Sequence, residues 1–153
     1  MHTESRLEEI LLRFWAWAEY DSESFAEDGF TCPDEKEPFY FPGIEEMRNL
    51  CCALETNPGT NEEIQDYLTC MALDNEEEGI LDHCAAHAPD AFVECLASAA
   101  LVHPQWNARW QIAELLGRRN VPGCEGALQM LTMDPHPYVR RRAENAIKNI
   151  EIV

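Results

Sequence analysis

Two consecutive blocks of 31 residues decide the fold, PDAFVECLASAALVHPQWNARWQIAELLGRR (Pro89–Arg119) and NVPGCEGALQMLTMDPHPYVRRRAENAIKNI (Asn120–Ile150). Arg109 of the first block aligns with Arg140 of the second. Each half of a block places small or aliphatic residues at helical spacing, and prolines separate the halves. Each block therefore predicts two antiparallel helices, and a fixed period of this size indicates a stack of repeats.

A more divergent copy, PGTNEEIQDYLTCMALDNEEEGILDHCAAHA (Pro58–Ala88), precedes these two blocks. Its apolar residues keep the helical spacing, but Glu78 stands where the later blocks have Arg109 and Arg140. We therefore predict three helix-pair repeats over residues 58–150.

The first part of the chain, residues 1–57, predicts a divergent helix pair. Apolar stripes indicate one helix over Arg6–Tyr20 and another over Ile44–Glu55. Between them, the three prolines of residues 22–43 favour a long loop. We thus expect a single all-α domain over residues 1–153, an α-solenoid of about four antiparallel helix pairs.

The last block resembles a HEAT repeat, in particular the short bacterial type described in phycobilin lyases. Its DPHPYVRRRAENAI segment has the turn aspartate of that family, Asp134, followed six residues later by Arg140. In the family these two residue types form a ladder between repeats, which implies a structural ladder of Arg109, Asp134 and Arg140 here. The preceding block has His103 in place of the aspartate. The resemblance implies a solenoid and leaves function open, because one fold hosts many functions.

The formal net charge of −18 is not evenly distributed. Residues 1–88 contain 22 acidic and 4 basic residues, whereas residues 89–153 contain 7 of each. Such an excess creates a field that attracts cationic partners and opposes direct binding of nucleic acid. We expect a basic protein as partner, and no nucleic acid.

Residues 22–43 interleave this acid with aromatic side chains, a pattern typical of interface anchors. The same aromatics would serve equally well to seal the N-terminal end of a repeat stack. Two tryptophans of the second block either face a partner or pack between repeats. The candidate partner-binding residues are Glu23, Glu27, Asp28, Phe30, Asp34, Glu35, Glu37, Phe39, Tyr40, Phe41, Asp74, Glu76, Glu77, Glu78, Asp82, Trp106 and Trp110.

Catalytic signals are sparse. His83 and His87 lie four residues apart on one predicted helix and are candidate metal ligands, but the sequence places no third ligand beside them. The seven cysteines include no CxxC spacing, which favours reduced thiols. Cys51 and Cys52 are adjacent, so one of them must lie off the core. We predict no cofactor and no catalytic residue.

These observations favour a small binding protein over an enzyme. The leading hypothesis is an immunity protein that neutralises a basic toxin such as a nuclease; a general adaptor is the alternative. A chromophore lyase, suggested by the resemblance, and a metal enzyme built on His83 and His87 are the remaining hypotheses. No export signal or membrane span is recognisable, so we expect a cytoplasmic monomer or weak dimer.

Overall fold

The computed structural model describes residues 5–28 and 40–151, and within these ranges the protein is helical with no strand. This confirms the all-α prediction. None of the described helices is long and apolar enough to cross a membrane. The helices are α1 (Glu8–Ala18), α2 (Ser22–Asp28), α3 (Ile44–Thr56), α4 (Asn61–Leu73), α5 (Gly79–His87), α6 (Asp90–Ala100), α7 (Trp106–Arg119), α8 (Glu125–Leu131) and α9 (Pro137–Glu151).

The prediction that residues 22–43 form a loop is wrong at its start, where α2 forms. The main-chain N–H of Ser24 donates to the Asp21 carboxylate at 2.7 Å, which caps the first turn of α2. Phe25 is fully buried, and its ring lies 6.1 Å from that of Trp15 on α1. Burial of one aromatic side chain therefore fixes a helix that is otherwise acidic and polar.

Helix α1 is shorter than predicted. It ends at Ala18 because Glu19 adopts the left-handed conformation, with φ of 54°. Helix α4 begins with the reciprocal cap that its sequence indicates: the Thr60 hydroxyl accepts from the main chain of Glu63, and the Glu63 carboxylate accepts from the main chain of Thr60.

The helices pack in two rows. Helices α1, α4, α6 and α8 contact one another in that order, as do α3, α5, α7 and α9. The core contains residues of both rows and includes, within the first row, the edge-to-face pair of Tyr67 and Phe92, whose ring centroids are 5.0 Å apart. This packing places residues that are distant in sequence next to one another near the turns that join the rows.

Helices α7 and α9 pack closely against each other at Gly117. A Cβ atom placed there would lie 2.9 Å from the Cβ of Ala146, closer than real Cβ contacts. Glycine is thus required for this spacing. The same tight core contains the free thiols of Cys51, Cys70 and Cys84, whereas Cys52 is half-buried and is the off-core member of the adjacent pair.

Candidate functional site: an aromatic and acidic groove

A groove of about 360 Å³ opens where α1, the segment before α3, and the turn after α4 meet. It is lined by aromatic and by charged residues, which we call its aromatic side and its acidic side, and we name it the aromatic-acidic groove. Its defining residues are Phe14, Trp17, Tyr40 and Phe41 on the aromatic side, and Glu45, Arg48, Asp74, Glu76 and Glu77 on the acidic side. The groove therefore joins candidate residues from the acidic N-terminal segment with those of the first repeat.

On the aromatic side, Phe41 is packed against neighbouring rings, whereas Tyr40 is exposed. The ring of Phe41 packs edge to face on Phe14 at 5.2 Å and lies 5.7 Å from Trp17. Gly43 permits this arrangement, because a Cβ there would lie 2.7 Å from the Phe41 ring. Tyr40, by contrast, is 65% exposed. Phe41 thus supports the wall, as an end cap does, and Tyr40 is the aromatic residue available to a partner.

The acidic side is organised around Arg48. Its guanidinium donates to both oxygens of Asp74, at 3.1 and 2.7 Å, and also contacts Glu77 at 3.1 Å and Glu45 at 3.3 Å. Asp74 is buried, and it also accepts from the main chain of Ile80 at the start of α5. The hydrogen bond to Asp74 raises the pKa of Arg48, which therefore stays charged.

Negative charge remains in excess in the groove. Four carboxylates line it, and Arg48 is the one cation among its described lining residues. The side chains of Glu45 and Glu77 are 79% and 76% exposed. Glu76 is also exposed and has no ion-pair partner among the described residues. The groove thus presents acidic groups to solvent beside an aromatic wall.

Other acidic candidates lie outside the groove. Glu23 and Glu27 are exposed on α2. Asp28 accepts from the hydroxyl of Tyr20, which raises the pKa of Tyr20 to about 12. Asp82 pairs with an arginine of α7, Arg118, at 2.8 Å. The half-buried Glu78 adopts a left-handed conformation, with φ of 56°, immediately before α5. Phe30, Asp34, Glu35, Glu37 and Phe39 lie outside the described residues.

The tryptophan candidates require a correction. Trp110 is buried at 5% exposure, its indole N–H donates to Asn107, and the Arg142 guanidinium covers its ring at 4.7 Å. Its assignment to a partner-binding surface is therefore wrong. Trp106 is half-buried, with its ring stacked on His136 at 4.1 Å. Both rings pack between α7 and the last helix pair.

The ladder residues make two kinds of contact. Arg109 donates from Nε and Nη2 to the Asp134 carboxylate, at 2.7 and 3.2 Å, and from Nη1 to the main-chain oxygen of His103 at 2.8 Å. Arg140 does not bridge repeats as expected. It donates to the main-chain oxygens of Asp134 and Pro135 in its own turn.

Sequence reasoning missed the equivalent pair of Arg48 and Asp74. The two residues are 26 positions apart, against 25 for Arg109 and Asp134, and they use the same atoms. The 31-residue offset does not align the two pairs, so repeat alignment cannot find the earlier one. Arginine followed about 25 residues later by aspartate was the available signal.

His103 takes the place of an aspartate in its turn. Its Nδ1 accepts from the main chain of Gln105, as the Asp134 carboxylate accepts from His136 two residues later. Its Nε2 lies 3.1 Å from the main-chain oxygen of Gln65, so the ring proton resides there. Burial lowers the pKa of His103 to about 4, which keeps the ring neutral.

The predicted histidine pair has a neighbour that sequence reasoning missed. The rings of His83 and His87 lie 4.7 Å apart, but His83 Nδ1 bonds to the buried carboxylate of Glu55 at 2.9 Å. Cys52 completes a group of three potential metal donors with Glu55 and His83. Glu55 precedes His83 by 28 residues on another helix, and only packing of α3 on α5 joins them.

Comparison with protein-family models gave no match for this sequence, and neither curated proteins nor solved structures gave one.

Proposed function

We propose that this protein binds a basic protein and that the aromatic-acidic groove receives a cationic side chain of that partner. The observation that carries the proposal is that the exposed Tyr40 lines one cavity together with the carboxylates of Glu45, Glu76 and Glu77. A guanidinium or ammonium group is attracted both by the face of an aromatic ring and by carboxylates. The groove offers both at once.

The ion pairs that the arginines already form also support a basic partner. Each arginine of residues 5–28 and 40–119 already forms an ion pair with a carboxylate of the protein. These pairs leave most acidic residues of the first 88 uncompensated, since that part has 22 acids and 4 bases. A field of this kind speeds encounter with a cationic protein by ~10–1000-fold at low salt.

The most specific form of the proposal is an immunity protein that inhibits a basic toxin. Sites that bind phosphate backbones are rich in lysine and arginine, so an acidic groove is complementary to a nuclease active site. The two rows of consecutive helix contacts support a HEAT-like solenoid of antiparallel pairs as the frame. A general adaptor for a basic partner is the second candidate and uses the same groove.

The experiment is affinity capture from the native host at low and moderate salt, with three forms of the protein as bait. The wild type is compared with a groove variant, Glu76→Gln with Glu77→Gln, and with a matched control, Glu94→Gln with Glu144→Gln. The control residues are exposed acids on α6 and α9. We expect the wild type and the control to retain a basic protein that the groove variant loses.

Two results decide the outcome. Equal capture by all three baits, or capture that is insensitive to salt, would contradict the groove as the binding surface. The captured protein is then expressed alone and together with this chain. Growth arrest that co-expression relieves identifies an immunity function, whereas a harmless partner identifies an adaptor.

A further inference from the structure

A second cluster of reactive side chains lies away from the groove, between α3 and α5. The thiol of Cys52, the carboxylate of Glu55 and the imidazole of His83 present donor atoms that all lie within 4.8 Å of one another. Cys52 and Glu55 are three residues apart and therefore share one face of α3. His83 comes from the facing helix, so two elements of the fold contribute to one cluster.

Glu55 is the unusual member of this cluster. It is only 1% exposed, although glutamate is rarely fully buried. Its carboxylate contacts the Tyr67 hydroxyl at 2.9 Å and His83 Nδ1 at 2.9 and 3.2 Å, and among the described residues it pairs with neither arginine nor lysine. Tyr67 is itself fully buried and holds the carboxylate in one orientation. A fixed, buried carboxylate without a permanent cation is suited to receive one.

We propose that Cys52, Glu55 and His83 bind a divalent transition-metal ion, with zinc as the best match. Sulfur, nitrogen and oxygen donors from these three residue types are the protein ligands of zinc, and three of them leave a fourth position for water. The ion displaces the Cys52 thiol proton to solvent, and a neutral His83 binds it through Nδ1 with the ring proton on Nε2. The thiolate and the Glu55 carboxylate are then two anionic ligands that balance the two charges of the ion.

The required movement is small. Metal–ligand distances of ~2.0–2.3 Å place the donors of a tetrahedral site roughly 3.3–3.8 Å apart. His83 Nδ1 and Glu55 must therefore separate slightly from 2.9 Å, and donors up to 4.8 Å apart must close to this range, at a site where His83 is 39% exposed. Tyr67 acts as an outer residue that orients the carboxylate, an arrangement that supports metal affinity.

An activated cysteine is the competing interpretation of the same residues. It requires a lowered thiol pKa, whereas burial and the nearby Glu55 raise the pKa of Cys52. A surface histidine pair is the other interpretation, since His87 lies beside His83 on α5. These alternatives predict different sensitive residues and are separated by mutation.

The test uses the full-length reduced protein, with zinc binding measured by calorimetry and cobalt binding by absorption. We expect one ion per chain and a thiolate-to-cobalt charge-transfer band. Cys52→Ala should weaken zinc binding at least about 100-fold and abolish the band, because a ligand is lost. Cys95→Ala, at an exposed cysteine on α6, is the matched control and should leave both signals unchanged.

Three results would overturn the proposal. They are absence of binding by wild-type protein, a Cys52→Ala variant that binds like wild type, and binding abolished by His87→Ala alone, which indicates the surface histidine pair. Cys52 is half-buried, and circular dichroism of the variant establishes that loss of binding is not loss of folding. A second variant, His83→Gln, must also lose binding while it keeps the helical spectrum.

Discussion

The two arginine–aspartate pairs described in this protein use the same atoms in different electrical surroundings. In both, Nε and Nη2 of the arginine meet the two oxygens of a buried aspartate. Arg109 has one carboxylate and one main-chain oxygen, so its pair is neutral. Arg48 has Asp74 and also Glu45 and Glu77, so acid is in excess there.

The same arginine–aspartate pair occurs in a closed region and in an open region of the protein. Around Arg109, the stacked rings of Trp106 and His136 and the packing of Trp110 close the surface. Around Arg48, the surface stays open as a groove with exposed carboxylates. The local geometry is the same, so the two regions differ in what surrounds each pair.

The largest expected effect comes from removing the aspartate of each pair. Asp134→Ala leaves Arg109 half-buried without a carboxylate and should lower the free energy of unfolding by about 3 kcal/mol. Asp74→Ala should cost less, because Glu45 and Glu77 remain on Arg48. Urea unfolding of both variants measures the difference. Equal losses would show that the extra carboxylates do not compensate the guanidinium.

The turn that precedes Arg109 adds a pH dependence through His103. His103 is buried and neutral, with a folded pKa of about 4 against an unfolded value near 6.5. As pH falls from 7 to 5 the unfolded chain gains this proton first, so stability decreases by about 2 kcal/mol. His103→Asn supplies a neutral acceptor to Gln105 and should remove that loss. Thermal unfolding of both forms between these pH values checks the sign; a parallel decline in the two would contradict it.

The next prediction concerns the contact between α7 and α9 alone. Gly117→Ala places a methyl group against Ala146 and should destabilise the protein by about 1–3 kcal/mol, because the helices must separate. Gly126→Ala, on α8, meets nothing within 4 Å and should be neutral or stabilising by about 0.5–1 kcal/mol. Chemical unfolding compares them. A harmless Gly117→Ala would mean that α9 is not held tightly against α7.

The smallest effect on stability is expected in the acidic N-terminal segment. Charge reversal at Glu35 and Glu37, which lie outside the described residues, should slow association with a basic partner and flatten its salt dependence. Its effect on unfolding should stay within about 0.5 kcal/mol, as for most surface substitutions. Stopped-flow association at two salt concentrations measures the rate. An unchanged rate would place these residues outside the interface.

The helices of the two best repeats could be predicted from sequence because their apolar residues keep a helical period and prolines mark their ends. Helix α2 could not, since Phe25 is its single large apolar residue and its stability depends on contact with Trp15. Periodicity in the sequence reveals a helix that buries a row of apolar residues, but it does not reveal a helix that buries a single one.

Both clusters of functional interest depend on pairings between distant positions. The sequence identified Tyr40 and Glu76 as candidates but gave no reason to place them around one groove. His83 and Glu55 are 28 residues apart, and nothing in the sequence marks Glu55 as buried. Packing of α5 on α3 brings the two side chains into contact. Tyr40, Glu76 and His83 were predictable as candidates, whereas the role of Glu55 and the proximity of these residues required the packing of helices.

The close approach at Gly117 has a consequence for how the molecule opens. At Gly117 the backbones of α7 and α9 come almost into contact. Water therefore reaches the amides along this contact only after the two helices separate. Local fluctuations of α2, which one aromatic residue holds, leave this contact intact. Amide hydrogens of α7 should therefore be among the last to exchange with solvent, and those of α2 among the first. Helix α7, which contributes no lining residue to the groove, thus belongs to the slowest-opening part of the protein.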